Sequence, residues 1–151
     1  MSSSIDPTQC AFAVRRACWT QDRDALTQVR TRVFVKEQGV PPALEWDQSD
    51  ETAIHLLAWD GADHPIGTAR LLPSGQIGRM AVLGPWRGRG VGSALLREAL
   101  RIAAESGLPT PFLHAQTAAL SFYHRHGFRA AGQVFYEAGI PHRTMIHGGE
   151  P

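Results

Sequence analysis

The stretch Arg87-Gly88-Arg89-Gly90-Val91-Gly92 joins a strand-like run to a helical one, and this junction constrains the fold more than any other part of the chain. Before it, Ile77-Gly78-Arg79-Met80-Ala81-Val82-Leu83 is short, apolar and β-leaning, the pattern of a buried strand. After it, Val91, Ala94, Leu95, Ala99, Ile102 and Ala103 recur at helical spacing, with Arg97, Glu98, Arg101 and Glu105 on the opposite face. Glycines at such a junction let the backbone turn tightly and leave the first amides of the helix bare. Those amides and the positive helix end make a seat for phosphate oxygens. Arg87 and Arg89 strengthen the expectation, because guanidinium forks match phosphate. The junction predicts an anion site, suited to a pyrophosphate.

The elements around it alternate. Strands are expected over Ala11 to Arg16, Ile54 to Trp59, Ile66 to Leu72, Gln76 to Leu83 and Phe112 to Ala115. A helix is expected over Asp22 to Phe34, with Leu26, Val29 and Val33 on one face. Val40 to Asp50 reads as a Pro-interrupted loop, and Asp60-Gly61-Ala62-Asp63 as a turn. The helix after the glycine junction should stop near Gly107, ahead of Pro109 and Pro111. Ala118 to His126 reads as a short helix closed by Gly127. Phe128 to Glu137 and His142 to His147 read as a hairpin around Gly139 and Pro141.

A chain of 151 residues is expected to form one domain over 10–151, preceded by a polar, disordered tail over 1–9. A net charge of +1 gives no general case for nucleic acid or membrane binding. Cys10 and Cys18 have neither metal nor redox spacing, and the histidines form no paired ligand spacing, so no metal is expected. Without an apolar signal core or a run of spanning length, a cytoplasmic location is expected.

Charge is distributed unevenly. Pro65 to Leu96 holds Arg70, Arg79, Arg87 and Arg89 and no acid, whereas Glu37 to Glu51 holds Glu37, Glu45, Asp47, Asp50 and Glu51 and no base. Two solvated surfaces would account for this. So would a two-substrate site with a basic wall for an anion and an acidic lip for a cation.

Other phosphate-binding designs fit less well. A dinucleotide fold needs repeated βαβ crossovers and an acid about 20 residues past the glycines, and no acid lies there. A nucleotide P-loop would end in Gly-Lys-Ser/Thr, and the junction lacks that lysine. The Arg-Gly-Arg-Gly string lacks the basic tract of a minor-groove hook.

Arg87 to Gly92 resembles the (Gln/Arg)-x-x-Gly-x-(Gly/Ala) signature of the GNAT acyltransferase superfamily, and Arg79-Met80-Ala81-Val82 resembles its central strand. Phe122-Tyr123-His124-Arg125-His126-Gly127-Phe128 is similar to its Phe-Tyr-x-x-x-Gly-Phe element. Val33-Phe34-Val35-Lys36-Glu37-Gln38-Gly39-Val40-Pro41 and Leu113-His114-Ala115-Gln116 resemble the ElaA-like branch. The resemblance runs from about Val14 to His147. It implies an α+β, three-layer fold with a mixed, mostly antiparallel sheet of about six or seven strands and about four helices.

The resemblance further implies an N-acetyltransferase that uses acetyl-CoA as donor and a small, cationic primary amine as acceptor. A homodimer stays open. The CoA diphosphate would lie on the amides from Arg89 through Gly90, Val91 and Gly92 to Ser93, with Arg87 and Gly88 also in the donor-binding loop, and the pantetheine would add to the strand at Met80, Ala81 and Val82. An amide of Ala81 or Val82 would stabilise the oxyanion. Gln116 stands where many relatives carry an Asn that touches pantetheine. Tyr123 would be the general acid for the departing thiolate; a packed core aromatic is its other reading. Candidate bases are Glu37, Glu137, His142 and His55. A non-catalytic acyl-CoA sensor would keep the junction without needing Tyr123.

Overall fold

The computed structural model describes residues 11–45 and 47–148, so the tail expected over 1–9 lies outside the described residues. Strands β1 (Phe12–Ala17), β2 (Ile54–Asp60), β3 (Pro65–Leu71), β4 (Gln76–Val82), β5 (Phe112–Gln116), β6 (Phe128–Glu137) and β7 (Ile140–His147) form one sheet in the order β1-β2-β3-β4-β5-β7-β6. All neighbours are antiparallel except β4 and β5. Helices α1 (Trp19–Arg30), α2 (Pro42–Glu45), α3 (Val91–Glu105) and α4 (Leu120–Arg125) complete the fold. This is the mixed, mostly antiparallel α+β architecture expected.

The sheet is covered on both faces. On one, Val91, Leu95 and Ala99 of α3 pack with Leu56, Ala69, Leu71, Ile77 and Leu113, and Phe128 and Met145 extend the same core. A Cβ on Gly67 would stand 3.0 Å from both Leu95 and Val91, so glycine lets α3 approach β3 this closely. On the other face, Leu26 packs with Ala17 and Leu57, and Val29 and Val33 pack with Ala81. The buried face of α3 includes Leu96, while Ala94 of the expected face is only partly covered.

The first helix departs most from expectation. It starts at Trp19, where Asp22 accepts a hydrogen bond from the Cys18 amide at 2.8 Å, and at Thr31 it widens into a π-helical segment, Thr31–Glu37. There the Gln38 amide reaches the Val33 carbonyl, a five-residue step. Val33-Phe34-Val35 is β-branched-rich and reads locally as a helix end, but burial of Val33 against Val29 and Ala81 carries the helix on. The loop after it contains α2 and a 3₁₀ turn, Gln48–Glu51, capped reciprocally by Asp47 and Asp50. The terminal hairpin turns at Ala138 and Gly139, both at positive φ, so β7 begins at Ile140 and takes Pro141 near its start.

Candidate active site

The parallel pair at the centre of the sheet opens almost at once. β4 and β5 are in register at Gln76↔Phe112 and Ile77↔Leu113 and nowhere beyond. From Gly78 onward β4 diverges, bent by a bulge opposite Ala69 where Arg79 takes a φ of 49°. The Thr68 hydroxyl donates to the Arg79 carbonyl at 2.9 Å and holds the bulge in place. The Met80 to Val82 edge therefore has no strand partner on the β5 side, and a cavity of about 1170 Å³ runs through the gap.

The glycine junction closes one end of the cavity. Gly90 (φ 87°) is the N-cap of α3, and no side chain caps that helix. The first helical backbone bond is donated by Ala94, which leaves the amides of Val91, Gly92 and Ser93 facing the cavity mouth. Arg87 does not simply extend into solvent as a phosphate fork. Its Nε donates to the Val82 carbonyl at 2.9 Å and its guanidinium pairs with Glu37 at 2.5 Å, tying the junction to the end of the π-helical segment. The Arg89 guanidinium lies 5.0 Å from the Trp86 ring centroid. Ser93 Oγ is 2.9 Å from His126 Nε2, and burial, then the charges of Arg97 and Arg125, lower the His126 pKa.

Tyr123 of α4 lines the cavity, packed edge-on against Phe122 and Phe128 with centroid separations of 5.0 and 6.0 Å. Burial pushes its phenol up to about 12, so it stays protonated through the neutral range. Gln116 also lines the cavity, and its amide donates to Gln38 Oε1 at 3.0 Å, bridging β5 to the first helix.

The candidate bases separate into three environments. Glu37 lines the cavity but its carboxylate is engaged by Arg87. Glu137 and His142 come together with His114: Glu137 Oε2 is 3.0 Å from His114 Nδ1, and Oε1 is 3.9 Å from His142 Nε2. His55 corrects the sequence reading. It is buried on β2 away from the cavity lining, donates from Nε2 to the Asp50 carbonyl at 2.8 Å and stacks on Trp19. Burial holds its pKa below the ordinary value. It is a scaffold histidine, held through Nε2 while its buried Nδ1 has no hydrogen-bond partner among the described residues.

The acidic lip needs correction too. Asp50 is buried between Arg30 (2.9 Å) and Arg70 (3.1 Å), and Asp47 pairs with Arg70 (2.8 Å) and Arg79 (3.3 Å). Burial alone would raise the Asp50 carboxyl, but the two guanidiniums outweigh it and hold it low. These carboxylates are neutralised by arginines from α1, β3 and β4. His114 was given no role in the sequence reading. Strand alternation in Leu113-His114-Ala115-Gln116 puts it on the same face as Gln116, a signal that was available. Among the described residues no cluster of His, Cys, Asp or Glu is arranged to hold a metal ion, and no helix is long and apolar enough to cross a membrane.

A central parallel pair that splays beside uncapped helix amides leaves a cleft suited to a long, anionic ligand, and the comparisons with known proteins assign it to an acyl-CoA-dependent N-acyltransferase. The chain belongs to the acetyltransferase (GNAT) domain family, whose model matches residues 22–147. It is 38% identical to the uncharacterized N-acetyltransferase YjcF of Bacillus subtilis over 122 residues, covering 78% of this chain and 86% of that protein. An acyl-CoA N-acyltransferase from Pseudomonas aeruginosa superposes with a TM-score of 0.80 at 33% identity, covering 91% of this chain and all of that one. Escherichia coli ElaA superposes equally well, with a TM-score of 0.80 at 29% identity over 91% of this chain and 99% of its own. The resemblance to the ElaA-like branch is thereby borne out.

Proposed function

We propose that this enzyme transfers an acetyl group from acetyl-CoA to the primary amine of a small acceptor, by direct attack through a tetrahedral intermediate. The observation that carries this reading is the opening of β4 from β5 beside bare helix amides. The diphosphate rests on the amides from Arg89 to Ser93, each favourable contact with the helix end contributing about 0.3–1 kcal/mol. The pantetheine takes the place of a strand along Met80 to Val82, and Gln116 borders it. An Ala81 or Val82 amide meets the oxyanion. Tyr123 protonates the departing thiolate, supported by its place in the cavity wall and its retained proton.

The acceptor enters where Glu137 and His142 line the far wall, and its proton leaves on that side. Half-exposed Glu137, rather than the acidic segment, attracts the ammonium form. Glu37 is the weaker base candidate, since removing it from Arg87 would loosen the junction. Thermal shift with acetyl-CoA, NAD and ATP, followed by thiol release over a panel of small amines, tests the reading. Stabilisation by acetyl-CoA alone with thiol release is expected. Stabilisation without release on any amine would favour the sensor, and no shift at saturating acetyl-CoA would overturn the donor assignment.

A further inference from the structure

We infer that His114 is the base that takes the proton from the attacking ammonium and that Glu137 is its positioning residue, an assignment that rests on the acyl-transfer reading above. Ile77↔Leu113 is the last in-register pair of β4 and β5, so His114 is the first β5 residue beyond the seam. Leu113 and Ala115 point into the core under α3, which turns His114 and Gln116 to the other face, where both line the cavity. His114 thus stands on the wall of the opening at the level where β4 departs.

Its hydrogen-bond partner determines its tautomer. Glu137 Oε2 lies 3.0 Å from Nδ1, and a carboxylate only accepts, so Nδ1 carries the hydrogen. In the neutral ring the lone pair is then on Nε2, which has no hydrogen-bonded protein partner among the described residues. Phe135 meets the ring edge-on at 5.1 Å and Phe112 lies at 6.2 Å, restricting its rotation. The side chain is 31% exposed, open enough to meet a substrate.

The neighbouring candidates lack this arrangement. His142 uses Nδ1 to donate to the Ile140 carbonyl at 2.6 Å, and its Nε2 is directed at Glu137 from 3.9 Å rather than left open. Its ring is stacked against Phe135 and buried. Glu37 is paired with Arg87.

The proton balance is complete. Nε2 takes one proton from the ammonium, and the resulting imidazolium keeps its Nδ1–H on Glu137. The freed nitrogen pair forms the C–N bond at the thioester carbonyl while the carbonyl π pair moves to oxygen. On collapse the C=O reforms and the C–S bond breaks. The thiolate receives the Tyr123 proton, Tyr123 recovers the proton shed by the new amide nitrogen, and the imidazolium releases its proton to water.

Two measurements test the assignment. Long-range ¹H–¹⁵N spectra of the full chain, with His114 identified by its loss in His114→Gln, should show the Nδ1–H tautomer at mildly alkaline pH. Glu137→Gln should weaken that preference. Kinetically, His114→Gln should lower kcat/KM for the best amine of the panel by about 10²-fold. The acetyl-CoA Kd, which also verifies folding, should stay unchanged. Hydroxylamine, already unprotonated under these conditions, needs no base and should retain most of the wild-type rate. An Nε2–H tautomer, or equal losses on both nucleophiles, overturns the assignment while leaving acyl transfer intact. A wild-type protein that is inert on every nucleophile overturns both.

Discussion

On the β3–β4 side of the cavity, Asp50 sits between Arg30 and Arg70 with its side chain 1% exposed, and both carboxylate oxygens have a guanidinium partner. On the β5–β7 side, Glu137 is 49% exposed and holds one histidine at 3.0 Å while a second waits at 3.9 Å. Both regions pair carboxylates with cationic or ionisable groups around one cavity, yet completeness and burial separate them. A carboxylate so buried and saturated offers no acceptor for a substrate proton, so its contribution is to pin the 47–51 turn against α1 and β3. A half-open cluster contributes little stability and retains groups that can exchange protons. Charge density alone does not separate the two; the partners of each carboxylate do.

The comparison can be broken most decisively at Asp50. Asp50→Ala removes the buried carboxylate that Arg30 and Arg70 share and should destabilise the fold by about 3–5 kcal/mol in urea unfolding. A loss below about 1 kcal/mol would show that the network is not structural. Tyr123→Phe should lower kcat roughly 10²-fold with little change in acetyl-CoA affinity. An unchanged kcat where chemistry limits turnover would reduce Tyr123 to packing. Arg87→Ala removes an exposed pair and the Val82 tether, and should weaken acetyl-CoA binding about two- to fivefold by calorimetry. Glu137→Gln should change stability by no more than about 0.5 kcal/mol, and a loss rivalling Asp50→Ala would erase the distinction.

Acid titration sharpens the same contrast. His55 and Asp50 both have folded pKa values below their unfolded ones, so the unfolded chain binds more protons at either site. The His55 contribution is fully present above about pH 6.5 and falls away below it. That of Asp50 is present above about pH 3.9 and is lost as pH drops through its lowered folded value. Stability followed by chemical denaturation should therefore decline in two stages on acidification. Asp50→Asn should remove the lower stage.

What could be read from the chain followed from local pattern. The apolar face of α3, the strand–glycine–helix junction and the turn at Gly139 each depend on neighbours a few residues apart. The partners of the acidic segment do not. Asp50 meets Arg30 and Arg70, each 20 residues away, and Asp47 meets Arg79 at a separation of 32. A run of acids names no counterion until the chain is folded, and the lip reading failed for that reason. His114 belongs to the Leu113-His114-Ala115-Gln116 segment, but its partner Glu137 lies 23 residues on, two strands across. The widened turn in the first helix had no sequence signal, because burial of Val33 rather than propensity sustains it.

Since two residue pairs alone stitch β4 to β5, the sheet behaves as two blocks, β1 to β4 and β5-β7-β6, that share a core but scarcely a hydrogen-bond ladder. A donor bound as proposed, in the gap as a surrogate strand, would be a folding ligand as well as a reactant. At a hundredfold excess over Kd it adds about 2.7 kcal/mol against global opening. Amide hydrogen exchange should accordingly slow across β7 and β6, on the far side of the gap from β4, when acetyl-CoA is added. Each turnover would then extend and release the ladder that the two blocks share only at Gln76 and Ile77.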